Sequence, residues 1–340
     1  MDIETLISAL PKVEQHVHIV GSVRPETLLW LQKEGGLEKP LESVEEVRRF
    51  FRYHDFSHFI TVYKTVFRCI TREDQFERIT YEMLEDEARC NVRYVEASFS
   101  APDHVRVGLD YGLMLDAINR GVRQARRASG IQCNLRIDLV RDYGPAAGMQ
   151  VLAWIENKRN NIVSIDIGGS EDRFPPRPFA GVYQRAKEMG LHLVAHAGEA
   201  AGPDSVWDAI NYLNVERIGH GVTASRDPRL MDCLLERNIT IETCPTSNLR
   251  TGVVRSLQKH PIRTFFDKHI RVTVNTDDPS MFHTDMNNEY LQLHRQLNFT
   301  VPELFELTCN ALDSSFLPET QKTQIRKSFE EEYRKLMDTE

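Results

Sequence analysis

Short apolar runs rich in β-branched residues recur along the chain, each closing in a polar or glycine-containing turn. They are Val13–Ile19, Val92–Ser98, Asn134–Val140, Ile162–Ile167, His192–His196, Arg217–His220, Thr240–Thr243 and Arg271–Asn275. Most intervals between them carry apolar residues at helical spacing, such as Val206, Ile210 and Leu213, or Leu230, Cys233 and Leu234. Strands alternating with helices predict a parallel sheet, and eight such units predict an α/β fold, a closed (β/α)8 TIM barrel. The stretch from Pro25 to about Ala88 is too long for one helix and predicts several, inserted after the first strand as a lid over about residues 25–88. In it Phe56, Phe59, Ile60, Tyr63 and Phe67 share a helical face, read either as core or as a substrate wall. Ile325, Phe329, Tyr333 and Leu336 predict an amphipathic helix covering the barrel. No repeat, low-complexity tract or linker marks a domain boundary, so residues 1–340 are expected to form a single domain.

The balance of charge narrows the partners. With a net charge of −8 and no run of Lys and Arg, the chain has no field to gather phosphate backbones, and nucleic acid is excluded as an expected partner. Six cysteines stand without a C-x-x-C pair, as in a reduced intracellular protein. Met1-Asp2-Ile3-Glu4 lacks the basic start and apolar stretch of a signal peptide, and no segment approaches a membrane span. A cytoplasmic enzyme without a membrane partner is expected.

The ends of the apolar runs carry the chemistry. In a strand, side chains i and i+2 share a face, so His16 and His18 project together from the end of the first run. His196 and Asp277 also stand at strand ends, and a barrel gathers those ends around one mouth. Three imidazoles and a carboxylate with an open position suit one catalytic divalent transition metal, most often zinc. Glu199 follows His196 in the next turn, where it could face a substrate held over the metal, and His220 sits between two glycines at the end of the sixth run. Adjacent Asp277 and Asp278 point to different sides of the chain, so one can bind metal while the other reaches a ligand.

The segments Leu10–His18, His196-Ala197-Gly198-Glu199, Arg217–Gly221 and Asn275–Pro279, in this order and spacing, resemble the adenosine deaminase family of the amidohydrolase superfamily. The resemblance runs from about Leu10 to Asn310 and implies a zinc-dependent aminohydrolase that replaces the 6-amino group of a purine by oxygen. It implies zinc on His16, His18, His196 and Asp277. Water would attack C6 while His220 positions it, helps deprotonate it and stabilises the developing charge; Glu199 would donate a proton to N1. For that role Glu199 must be a neutral acid near pH 7, which predicts a pKa raised by a desolvated pocket. Asp278 would pair with N7, and Gly169 would offer its backbone N–H to N3 or simply serve the strand-to-helix turn.

The departures concern the substrate. Family members that act on adenosine carry an Asp that accepts from the ribose 5′-hydroxyl, where this chain has Val20, expected to bind substrate as an apolar contact at the 5′ position. A lost hydrogen bond to a charged acceptor costs about 1.5–3 kcal/mol. The expected substrate is therefore a 5′-modified purine nucleoside, such as aminodeoxyfutalosine, 5′-methylthioadenosine or 5′-deoxyadenosine. His18-Ile19-Val20-Gly21-Ser22 favours the aminodeoxyfutalosine branch through its Val-Gly-Ser sequence. Plain adenosine and bare adenine remain alternatives. A phosphate would call for cations at the mouth, and the first two strand loops offer Arg24 and Arg106 alone. Phe59 is expected on the substrate wall, and His54 and His58 are candidates for a polar 5′ group. A two-metal amide or ester hydrolase would need a Lys at the end of the fourth strand, which instead reads Asp166-Ile167-Gly168. A non-catalytic purine-binding protein is the rival from another class.

Overall fold

The computed structural model describes residues 1–338 except 36, 38, 54 and 55. Eight strands form one sheet in chain order: β1 (Lys12–His18), β2 (Val92–Phe99), β3 (Gln132–Val140), β4 (Ile162–Gly168), β5 (His192–Ala197), β6 (Arg217–His220), β7 (Thr240–Thr243) and β8 (Val272–Val274). Every neighbouring pair is parallel, each strand returning through a helical crossover. The seam between β8 and β1 closes beyond the regular ladder: the Gln15 N–H donates to Asn275 Oδ1 at 2.9 Å, the Asp277 N–H to the His16 carbonyl at 2.9 Å and the His18 N–H to the Asp277 carbonyl at 2.8 Å. The TIM barrel predicted from the hydrophobic pattern is the fold observed.

Side-chain alternation sorts the strand residues into two environments. Leu135, Ile137 and Leu139, with Ile165 and Ile167, join the apolar core between strands and outer helices. The alternate positions Arg136, Asp138, Ser164 and Asp166 are buried polar groups inside the barrel. Between β1 and β2 the chain folds as helices Pro25–Leu31, Val44–Phe50, Phe56–Arg68 and Gln75–Arg89, as expected of the inserted stretch. The last of these packs in the outer helical layer, where Gly121 of helix Tyr111–Ser129 comes so close that a Cβ there would lie 2.5 Å from the Glu77 carbonyl. Helix Phe56–Arg68 is the part that stands over the mouth. Helix Glu319–Met337 buries Phe329 against Val13, Tyr94 and Leu312 at the opposite end of the barrel. No described helix is long and apolar enough to cross a membrane.

Candidate metal centre and substrate cavity

His16, His18, His196 and Asp277 converge, with one ligand atom from each lying within 4.8 Å of the others. Their second ring atoms explain the convergence. The Nδ1 of His16 lies 2.9 Å from Glu242 Oε2, that of His18 3.3 Å from Asp138 Oδ2 and that of His196 2.9 Å from Asp166 Oδ2. A carboxylate beside Nδ1 holds the ring proton there and leaves the Nε2 lone pair facing the centre, the arrangement that orients metal-bound imidazoles. His16 Nε2 is buried without a hydrogen-bond partner, 3.5 Å from Asp277 Oδ1, and His18 Nε2 is 3.3 Å from the same oxygen. The other oxygen of Asp277 accepts from Ser247 Oγ at 2.6 Å. An orphaned His16 nitrogen among converging imidazoles beside one carboxylate oxygen fits a divalent cation.

The supporting carboxylates are themselves compensated. Burial alone would raise Glu242, yet the Arg136 and Arg217 charges hold it far below the ordinary carboxylate range. Arg136 donates to Glu242 at 2.7 Å and lies 3.2 Å from Asp166; Arg217 Nε is 2.7 Å from the other Glu242 oxygen. Backbone geometry is also committed to the site. Asp277 and His220 both adopt left-handed φ, 67° and 62°, a conformation that costs a non-glycine residue about 1–3 kcal/mol. Gly219 leaves room for the His16 ring, whose Cε1 would be 2.9 Å from a Cβ at that position.

A second overlapping set replaces His18 and His196 with His220 and Cys244. Hydrogen bonding argues against it. The Ile262 N–H donates to His260 Nδ1 at 3.2 Å, so His260 carries its proton on Nε2, which faces Asn248 Oδ1 at 3.1 Å. The Asn248 amide nitrogen is thereby turned towards His220 Nδ1, 3.1 Å away. Burial lowers the His220 pKa well below 6.5 and so favours the neutral ring. A neutral ring accepting at Nδ1 bears N–H at Nε2, so His220 offers a donor where the other three offer lone pairs. Burial also pushes the Cys244 thiol well above its ordinary pKa of 9.0.

Around this centre lie the remaining expected residues. Glu199 Oε2 is 3.6 Å from His220 Nε2. Its turn is pinned by Glu171, whose carboxylate accepts four successive N–H groups from Gly198 to Ala201 at 2.5–3.1 Å. Burial raises the Glu199 carboxyl well above 4.5, and the charges of Asp277, Glu171 and Asp278 add to it. Asp278 is raised in the same way by burial and by Asp277, with Oδ1 buried and unpartnered. Both acids lie on a cavity of about 530 Å3 that also reaches Gly169 and Phe59.

Three expectations change. Val20 is 3 % exposed, belongs to the apolar core and is not on the cavity wall, so position 20 brings the absence of an acceptor rather than an apolar contact. Arg24 is spent on Glu85 and Asp86, at 2.7 and 2.6 Å, whereas Lys64 and Arg68 of helix Phe56–Arg68 join Arg106 on the wall. His58 sets its ring 6.0 Å from that of Tyr53 and is not on the wall, while His54 lies outside the described residues. Glu242, Asp166, Asp138, Ser247 and Asn248 were missed. Charged residues at alternate positions of buried parallel strands were the available signal for the first three.

A family model described as adenosine deaminase matches residues 11–332. Among curated relatives, an aminodeoxyfutalosine deaminase of Streptomyces coelicolor is 37 % identical over 327 residues, 95 % of this chain and 84 % of that one. An adenosine deaminase of Shigella flexneri is 35 % identical over 326 residues, covering 94 % and 98 %. Among solved structures, an adenine deaminase from Arthrobacter aurescens superposes with a TM-score of 0.91 at 28 % identity, covering 97 % of this chain and 99 % of that one. With the motifs in register and the match spanning nearly all of its length, the chain belongs to the adenosine deaminase family.

Proposed function

We propose that this protein hydrolyses the bond between C6 and the exocyclic nitrogen of a 6-aminopurine nucleoside, giving the 6-oxo nucleoside and ammonia. The observation that carries the chemistry is the contrast among four imidazoles: three set Nδ1 beside a carboxylate and converge with Asp277, and the fourth, His220, sets Nδ1 beside the Asn248 amide nitrogen, with Nε2 3.6 Å from Glu199, a carboxyl whose pKa burial raises. His16, His18, His196 and Asp277 would hold one divalent transition metal, of which zinc best suits three nitrogens and an oxygen, although Fe(II) and Co(II) take similar ligands. Bound there, the metal supplies the Lewis-acid charge that makes water nucleophilic near neutral pH.

The chain's own groups complete the reaction. Glu199 donates its proton to purine N1, which drains electron density from C6, and the adjoining low-dielectric wall keeps that acid neutral until substrate arrives. His220 Nε2–H donates to the attacking oxygen, positioning it and stabilising the charge that develops as C6 becomes tetrahedral. This supports the positioning and charge-stabilising parts of the role expected for His220, and not its part as first proton acceptor. Asp278 pairs with N7, and Gly169 on the opposite wall approaches N3. On collapse the proton left on the former water oxygen passes to the departing nitrogen, the C6–N bond breaks, and ammonia leaves as the 6-oxo group forms; the proton the water gave up before attack restores the acid form of Glu199.

The substrate is read as 5′-modified because position 20 provides no acceptor for a 5′-hydroxyl. One catalytic unit spans the chain, with helix Phe56–Arg68 as its lid, working in the cytoplasm on a small molecule without nucleic acid or membrane partners. Its cysteines are free, as a reducing compartment allows. Ammonia release from adenosine, 5′-methylthioadenosine, aminodeoxyfutalosine and adenine, together with metal per chain by plasma emission, tests the whole. One ion and turnover of a nucleoside are expected; two ions per chain, or no ammonia from any of the four, would overturn it.

A further inference from the structure

The loop after β4 is held from one side and holds the other. Arg141, fully buried in the turn after β3, donates to the carbonyls of Ile167, Gly168 and Phe174 at 3.0, 3.3 and 2.9 Å, and to that of His196 at 2.7 Å. Beside it Asp142 accepts from the Ser170 N–H and Oγ at 2.8 and 2.6 Å. Gly169, with φ 102°, passes so close that a Cβ there would lie 2.3 Å from Asp142 Oδ2. Two residues further on, Glu171 is 5 % exposed and reaches into the turn after β5. One of its oxygens accepts the N–H groups of Glu199, Ala200 and Ala201; the other accepts the Gly198 N–H and, at 2.6 Å, the Ser205 hydroxyl.

Successive N–H groups that aim at one point repel one another unless an anion gathers them, and charge-assisted bonds of this kind are the strong ones. Five donors fill the roughly four lone-pair sites of a carboxylate, so Glu171 keeps none for a ligand. We propose that Glu171 is a positioning residue for the deamination: it registers Glu199, the acid for purine N1, against Gly169, the donor for N3. The role rests on the deaminase reading of the site. The loops after β4 and β5 then act as one rigid gauge for the pyrimidine side of the purine, anchored to β3 through Arg141 and Asp142. Proton transfer needs a heavy-atom approach of about 2.6–3.2 Å, which a turn free to shift by about 1 Å does not hold.

Glu171→Asp separates position from charge, because it keeps the carboxylate and withdraws it by one methylene. The four N–H groups can no longer share it, and kcat on adenosine, 5′-methylthioadenosine or aminodeoxyfutalosine is expected to fall by about a hundredfold, with metal per chain unchanged. In the Glu199→Gln protein the same change should cost less than about threefold, since the acid that it positions is already gone. Full kcat in Glu171→Asp, loss of the metal, or an equal drop in both backgrounds overturns the role. Should that variant not fold, Ser205→Ala decides: it frees one oxygen of Glu171 and should lower kcat about three- to tenfold, only where Glu199 is present. An unchanged kcat there refutes the role. If the parent releases no ammonia from any of the three nucleosides, the deaminase reading falls, and amide hydrogen exchange in Ser205→Ala decides the coupling of the two loops separately. Exchange that speeds about tenfold or more both at Gly198–Ala201 and at Ser170 and Phe174 supports it. Faster exchange in one loop alone, or in neither, refutes it.

Discussion

Gly21 passes so close to Asp278 that a Cβ built on it would stand 1.7 Å from Oδ1 and 2.4 Å from the carboxyl carbon. The turn after β1 thus shapes the carboxylate assigned to purine N7, from a residue that touches no substrate itself. Gly21→Ala should displace Asp278 and lower kcat/KM by about a hundredfold, as small misplacements do. Metal content should hold, because the four converging side chains are untouched. Activity within threefold of the parent would show that Asp278 need not sit where it does.

Asn248 sets the proton on His220, so replacing the amide by an acid should move it. In Asn248→Asp the carboxylate attracts the proton to Nδ1 and leaves a lone pair at Nε2. Loss of one donor to a developing oxyanion lowers kcat by about 10²–10³. Ring 15N shifts in the metal-free protein are expected to show the Nε2–H form in the parent and the other tautomer in the variant. Full kcat in Asn248→Asp would instead make His220 a base.

The acid form of Glu199 is the active one, and its pKa is raised above 4.5, chiefly by burial. Activity should therefore persist above the ordinary carboxylate range and fall as pH rises through the raised value, giving the basic limb of the kcat/KM profile. Glu199→Gln can hydrogen-bond N1 but transfers no proton. Its kcat should drop by about 10²–10⁴, with that limb absent. A variant retaining most of its kcat would assign the proton to another group.

Away from the site, Glu303 links stability to acid. Its bond to Arg263, 2.7 Å long, lowers its pKa from 4.5 to about 2, and its carboxylate also closes the capping box with Thr300. A depressed carboxylate stabilises above its unfolded pKa, and that contribution fades as pH falls from about 4.5 to about 2. Urea unfolding of metal-free parent and Glu303→Gln should differ at pH 7 and converge towards pH 2. A gap independent of pH would contradict the linkage.

Where one force decides, the sequence was easy to read. Arg217–His220 and Thr240–Thr243 appear with the bounds that hydrophobicity predicts, since each is a buried run stopped by a turn. β3 starts earlier than expected, at Gln132, because pairing with Tyr94 recruits polar residues that periodicity assigns to a loop. β8 is shorter than expected because Asn275 meets β1 through its side chain rather than its backbone. The converging residues were legible since strand ends must meet at a barrel mouth. Lys64, Arg68 and Asn248 were not: their places depend on which loop or helix folds over that mouth, and local pattern carries no trace of it. Val20 misled because a position shared with relatives does not say which way the side chain turns.

The seam between the first and last strands makes the candidate metal residues a clasp. β8 has only three residues, and it is Asn275 and Asp277 that reach across to Gln15, His16 and His18. A cation gripping both sides of that seam would lock the chain's beginning to its end, so occupancy and closure of the barrel become one equilibrium. At a thousandfold above its Kd such an ion adds about 4 kcal/mol. Chelation should then lower Tm by about 5 °C or more and speed amide exchange in β1 and β8 before the other strands. An unchanged exchange pattern after metal removal would mean that the seam holds by itself. If the clasp operates, an enzyme starved of metal does not merely idle; it comes unfastened along one line, and its first proteolytic cuts should fall there.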